Sequence, residues 1–181
     1  MNIVYTLLVI LIIVCIVGLI YIYYYNKIQD AKLRIDEAER IIDDNLRIKY
    51  DLMINIKTEI RKTTKSKKID FKDLESIKDM DISNFDLDRK LIEQLTLLDT
   101  IIEDHDKLKE NDVINKYLIE IKNTDEKIDS AKMFFNNYIT ELNTLASKFP
   151  SAIIANLHNI KVKPYFDNKN MHDDDINDFK L

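Results

Sequence analysis

Apolar positions follow two regimes along this chain. From Ile3 to Tyr25 nothing is charged, and only Thr6 and Gly18 interrupt the apolar run. At ~1.5 Å per residue, a helix of that length crosses a ~30 Å hydrocarbon core. The run, which includes Ile3, Val4, Leu7, Ile12, Cys15, Gly18, Ile22 and Tyr25, predicts a transmembrane helix. Tyr21, Tyr23, Tyr24 and Tyr25 gather at one end and Tyr5 lies near the other, as interfacial aromatic belts do. After Asn26 the pattern takes the helical period. Ile28, Ala31, Ile35, Ala38, Ile42, Asn45, Lys49, Leu52 and Ile56 are spaced three and four apart, flanked by Ile41, Leu46, Ile48, Met53 and Ile60. That stripe is wider than a two-stranded seam and suits a bundle. No Gly or Pro falls between Asn26 and Pro150, so the first helix is expected to run unbroken to about Lys62.

A seven-residue repeat returns near the C-terminal half. Ile114, Ile121, Ile128, Phe135, Leu142 and Phe149 share one position, and Tyr117, Thr124, Ala131, Tyr138 and Leu145 the other. Between the two long helices, Leu87, Leu91, Leu95, Leu98, Ile102 and Leu108 predict a return helix. It is opened by the capping pattern Ser83, Asn84, Phe85, Asp86 and closed near Asn111 and Asp112. Phe71, Leu74 and Ile77 fit a shorter helix ahead of it. Ile153, Ile154, Leu157 and Ile160 fit a short capping helix beyond Pro150. Short connections make neighbouring helices antiparallel. The fold class expected is therefore all-α: an N-terminal transmembrane helix continuing into an antiparallel up-and-down bundle of three long helices plus short ones, four-helix-bundle-like. The domains read as an anchor over 1–25, a helical bundle over 26–149, a short helix and capping segment over 150–166, and an acidic, poorly ordered tail over 167–181.

Composition narrows the picture. One Gly and two Pro are too few for an all-β chain, which needs turn residues every ~8 to 12 positions. Gly-rich phosphate loops are excluded on the same count. A single Cys removes disulfide frameworks and Cys-rich zinc sites, and Cys15 lies within the apolar run. A cleaved secretory signal would carry Lys or Arg ahead of a shorter apolar core, so a retained anchor is expected. Lys27, Lys32 and Arg34 follow the span directly and no basic residue precedes it. The positive-inside rule then predicts a single-pass protein of the cell membrane, with its N-terminus outside and its bundle in the cytoplasm.

These residues also carry a resemblance. Tyr25, Asn26, Ile28, Ile35, Ala38, Ile42, Asp43, Leu46, Lys49, Tyr50, Asp51, Leu52, Asn55 and Ile56 resemble the opening motif of the LemA family of bacterial membrane proteins, roughly YNxL, VxxAxxxID and RYDLIPNL. Thr124, Asp125, Ile128, Ala131, Lys132, Phe134, Phe135, Asn136, Glu141, Asn143 and Thr144 are similar to its TExxIAxARRFYNxxVxxYNT signature. Phe149, Pro150, Ile154, Ala155, Leu157, Pro164, Tyr165 and Phe166 are similar to its FPxxLIA and YFE ending, and Leu108, Lys109 and Asn111 to its LKxN step. Ile54 stands where the family has Pro, which implies a straighter first helix, and Lys replaces Arg at 49 and 132; residues 63–85 match poorly. The resemblance implies a single N-terminal span with a helical bundle, and brings no established catalytic residue or cofactor.

Candidate chemistry is sparse. Paired metal sites in bundles use Glu-x-x-His, whereas Ile102, Ala155 and Lys169 stand three before His105, His158 and His172. His105 falls on an apolar stripe beside Asp104 and Asp106 and reads as a packed or edge histidine. The cluster of His172, Asp173, Asp174 and Asp175 reads as a solvated acidic tail. No nucleophile elbow or HExxH motif is present, so neither an enzyme nor a cofactor is expected. Arg61, Lys62, Lys65, Lys67 and Lys68 form a dense basic stretch. Lys65 would lie ~60 Å along a straight helix from the bilayer, beyond a ~10 Å Debye length, so the stretch reads as a solvated turn. With a net charge of −5 and no interleaved aromatics, no nucleic-acid partner is expected. Asn45 and Lys49 interrupt the apolar stripe, either fixing helix register or lying at an edge beside a partner. The candidate interaction surface is Lys49, Tyr50, Asp51 and Asn55, with Lys132, Asn136 and Asn137. The expected function is a non-enzymatic tether binding the lipid bilayer and a membrane or cytoplasmic protein. The competing readings are a self-assembling homo-oligomer and, third, an ion or pH sensor acting through His105 and the tail.

Overall fold

The computed structural model describes residues 2–64, 71–80 and 82–166. Among them the structure is all-α, with no strand. The elements are α1 (Asn2–Thr64), α2 (Lys72–Ser76) followed by a 3-10 turn (Ile77–Asp79), α3 (Asn84–Glu103), α4 (Asp106–Lys109), α5 (Asp112–Ser147) and α6 (Ser151–Leu157). α1 is one continuous helix that leaves the apolar run without a break and continues through Ile54. The expected short helix at Phe71, Leu74 and Ile77 forms as α2 and the 3-10 turn, and all three side chains are buried.

The described residues form two compact units, one drawn from 2–37 and 134–165 and the other from 38–133 and Phe166. In the first, Ile28, Ala31 and Ile35 of α1 are buried, as are Phe135, Ile139, Leu142 and Leu145 of α5 and Ser151, Ile154 and Ala155 of α6. The segment after α6 is fastened to α5 by an amide-to-backbone pair: Asn143 Nδ2 donates to the Lys163 carbonyl at 2.9 Å, and Lys163 N–H donates to Asn143 Oδ1 at 2.8 Å. In the same unit, Tyr21 Oη lies 2.8 Å from His158 Nε2. The apolar stretch of α1 from Ile3 to Tyr23 presents its side chains outward, and it is long and apolar enough to cross a membrane.

In the second unit, Ala38, Ile42, Leu46, Met53, Ile56 and Ile60 of α1 are fully buried. Ile114, Ile121, Ile128 and Ala131 of α5 and Leu91, Leu98 and Ile102 of α3 are buried as well. Two polar contacts fix the α1 and α5 register within this unit. Lys49 meets Asp125, and farther along α1 Asn111, just ahead of α5, donates to Thr63. Advancing along α1 while retreating toward the start of α5 is the signature of an antiparallel pair. α3 opens as its sequence predicts: Ser83 Oγ accepts from the Asp86 N–H at 3.2 Å and donates to the Asp86 carboxylate at 2.8 Å. Asn111 caps α5, accepting from the N–H groups of Val113 and Ile114.

Several details differ from the sequence pattern. The return helix does not reach Asn111. It ends at Glu103, and Leu108 is buried from the separate short α4. His105 is responsible for part of that break: it adopts an extended backbone, and its Nδ1 donates to the Ile101 carbonyl at 2.9 Å, satisfying an orphan acceptor of the last turn of α3. His105 is thus an exposed cap, not a residue on the apolar stripe. Phe149, the last member of the heptad series, lies beyond the end of α5 and is 83% exposed. Ile41 and Ile48 face outward from α1, and the seam of α3 holds Asp88 where an apolar residue was expected, with Leu87 half-buried. Lys65, Lys67, Lys68 and the His172–Asp175 cluster lie outside the described residues.

Candidate interaction surface

The seven residues proposed as an interaction surface divide by burial. Lys49 is 2% exposed and Lys132 8% exposed, so neither is presented at the surface. Each is instead an interior cation with an anion brought to it by another helix. Lys49 Nζ donates to Asp125 Oδ1 at 2.6 Å, and Lys132 Nζ donates to Asp88 Oδ2 at 2.6 Å. Burying an ammonium without such a partner carries a desolvation penalty of several kcal/mol, which explains why both lysines are paired. Lys132 also lies 3.7 Å from Asp129 and 5.3 Å from the centroid of the Phe166 ring. Phe166 in turn stacks on Phe85 with centroids 4.1 Å apart. One residue from α5, one from α3 and the aromatic after Tyr165 therefore form a single buried cluster.

A third interior cation was not anticipated. Lys57, one turn past Met53 on the buried face of α1, donates to Glu75 Oε1 at 2.9 Å. Arg61 reaches the same carboxylate at 3.3 Å and lies over the Phe71 ring at 5.3 Å. The hydrogen bond from Lys57, its charge and the weaker contribution of Arg61 hold the Glu75 carboxyl below its ordinary value. The periodicity does expose Lys57 and Asp88: Lys57 continues the three-and-four spacing from Lys49 and Met53, and Asp88 stands three before Leu91.

The remaining positions are accessible. Asp51, Asn55 and Asn137 are exposed, while Tyr50 and Asn136 are half-buried. Tyr50 and Asp51 line an open cleft of about 380 Å³ in the second unit. Asp43 and Arg47 complete its α1 wall. The opposite wall comes from Ile77 and Lys78 of the 3-10 turn, Met80 and Ile82 of the connection, and Asn84 and Leu87 of α3. Arg47 Nε donates to Asp43 Oδ2 at 2.9 Å, and this bond and the Asp43 charge raise the Arg47 pKa further above its ordinary value. The cleft thus offers both charge signs, a phenol and an apolar margin. Such a lining suits a peptide segment carrying charged and apolar side chains. Asn55 does not line it, and Asn136 and Asn137 belong to the other unit.

The charged residues of the KYDL and TD segments meet through Lys49 and Asp125, and the Phe-rich helix meets the YF ending through Lys132 and Phe166. The family model that matches this chain, over residues 38–177, is that of the LemA family. The chain belongs to the LemA family. Within the described part of the matched range, Lys49, Asp125 and Lys132 serve helix packing, and Tyr50 and Asp51 are the motif residues left at a cleft. No curated protein matches the chain in sequence. Family membership brings no established activity, and the apolar N-terminal helix fits a membrane anchor.

Proposed function

We propose that this LemA-family protein is a membrane-anchored, non-enzymatic interaction module. Its α1 span sits in the cell membrane as a single pass, with the N-terminus outside and the helical bundle in the cytoplasm. The cleft beside Tyr50 and Asp51 takes a segment of a partner protein. The observation that carries this reading is the contrast within one motif: Lys49 is used up in an interior ion pair, while the next two residues open onto a lined cleft. Charged and apolar groups side by side there favour a peptide over a small apolar ligand. The direction of the span rests on Lys27, Lys32 and Arg34, and protease protection of tagged ends in intact cells tests it. An externally accessible C-terminal tag would reverse the orientation.

Photo-cross-linking in living cells tests the interaction, with the reactive group placed at Asp51 and Met80 inside the cleft and at Asn137 outside it. Capture of one protein from Asp51 and Met80, and not from Asn137, is the expected result. Self-adducts alone would overturn the tether in favour of a homo-oligomeric structural role, and no adduct from any position would reject the cleft as a docking site.

A further inference from the structure

α6 and its flanks present an apolar face that no other described residue covers. Ile153 and Leu157 stand one turn apart on α6 and are 63% and 69% exposed, while Ile154 and Ala155 bury the opposite side. Phe149, in the turn ahead of the helix, and Val162 beyond it are also outward-facing. In water, large exposed apolar side chains gathered on and beside one short helix form the kind of patch that marks a contact surface.

The position of this patch says what covers it. His158, the C-cap of α6, bonds Tyr21 at 2.8 Å, and its ring lies 4.9 Å from that of Tyr25. Tyr21 and Tyr25 are stacked, with ring centroids 6.0 Å apart, at the end of the apolar run of α1. The end of α6 is therefore tied to the aromatic belt where the span leaves the hydrocarbon. All these residues belong to one compact unit. Charge agrees with position. From Leu142 to Phe166 the sequence holds Lys148, Lys161 and Lys163 and no Asp or Glu, although the whole chain has a net charge of −5.

We propose that α6 is a second membrane contact: Phe149, Ile153 and Leu157 enter the bilayer interface beside the span, and Lys148, Lys161 and Lys163 meet anionic lipid headgroups. This rests on the membrane-anchored reading of α1. An interfacial helix of this kind sinks its apolar face ~5 to 10 Å into the boundary between headgroups and acyl chains. Each lysine held at an anionic surface adds to the attraction, which salt weakens. The unit would then be fixed to the bilayer at two places, so that the span could not spin freely beneath it.

The chain has no Trp, so a single introduced Trp reports its own surroundings. Full-length protein carrying Phe149→Trp, Leu157→Trp, Ile12→Trp or Leu33→Trp is reconstituted into phosphatidylcholine and phosphatidylglycerol vesicles, with and without brominated acyl chains. Leu33 is an exposed apolar residue of the same unit, about two turns past Tyr25. Loss of fluorescence at Phe149→Trp, Leu157→Trp and Ile12→Trp, with none at Leu33→Trp, is expected. Replacing Lys148, Lys161 and Lys163 by Gln in the Leu157→Trp protein should reduce the loss; an unchanged loss would remove the headgroup contact from the proposal. Quenching at Ile12→Trp without quenching at Phe149→Trp and Leu157→Trp would overturn the α6 contact and leave the anchor standing. No quenching at Ile12→Trp would sink the anchor itself, and equal quenching at Leu33→Trp would deny α6 any special place.

Discussion

An ammonium group deprived of water is tolerated only beside an anion, and this chain solves that problem at Lys49, Lys57 and Lys132. The Lys132 pair is the most enclosed, since Asp88 is 4% exposed. Asp88→Ala should therefore destabilise the protein by about 3 kcal/mol, because it takes from a buried cation its enclosed anion and leaves only the longer contact to exposed Asp129, while Asp88→Leu combined with Lys132→Met should return to within ~1 kcal/mol of the original. Urea unfolding in detergent followed by circular dichroism reads both. Glu75 supplies a pH test. Its folded pKa lies below the unfolded value of about 4.3, so its contribution is fully present above that value and is lost as pH falls through the folded pKa. The thermal midpoints of Glu75→Gln and the parent should differ at neutral pH and converge in acid; a constant gap would show that Glu75 acts through packing. Lys49 was legible as a polar break in an apolar stripe, but the choice between register and surface was not. That choice depends on Asp125, which another helix brings from far along the chain.

At the scale of elements, periodicity carried most of the fold because Gly and Pro are nearly absent and nothing competes with the helical pattern. The heptad series of α5 shows both its reach and its edge. Ile121 is 2% exposed and Phe149, four repeats later in the same series, is 83% exposed. Ile121→Ala should thus cost about 2 to 5 kcal/mol of unfolding free energy, whereas Phe149→Ala should leave denaturation in detergent within about 0.5 kcal/mol of the parent. A large loss at Phe149 would show that detergent denaturation registers a contact of that ring. The series failed at its end because α5 stops at Ser147 ahead of Pro150, and a repeat in sequence has no meaning once the helix that presents it has ended. The break between α3 and α4 was illegible for a different reason. At His105 an extended backbone follows the helix and the ring bonds the Ile101 carbonyl, and no standard stop residue marks the spot.

For the whole molecule, composition and pattern were enough to place the chain among all-α proteins, while the family came from its motif resemblance, and the matched LemA range covers residues 38–177. What the molecule binds was less legible. The candidate surface was chosen from motif positions, and motif residues here serve two purposes: Lys49 and Lys132 hold helices together, while Tyr50 and Asp51 reach a cleft. A one-dimensional pattern does not separate these roles, because burial of a long polar side chain is decided by neighbours that the pattern does not name.

The interior lysines have one further consequence. Amine-reactive reagents modify only ammonium groups that water can reach, so Lys49, Lys57 and Lys132 are protected while the fold is closed and open to acylation once the helices part. Mass spectrometry after timed labelling should find these three modified far more slowly than exposed lysines such as Lys62, and all three accelerating together as urea approaches the unfolding midpoint. If Lys57 reacts well before Lys49 and Lys132, the α2 edge opens on its own. Three lysines held inside the helices would then serve as a clock for how often the native packing comes undone.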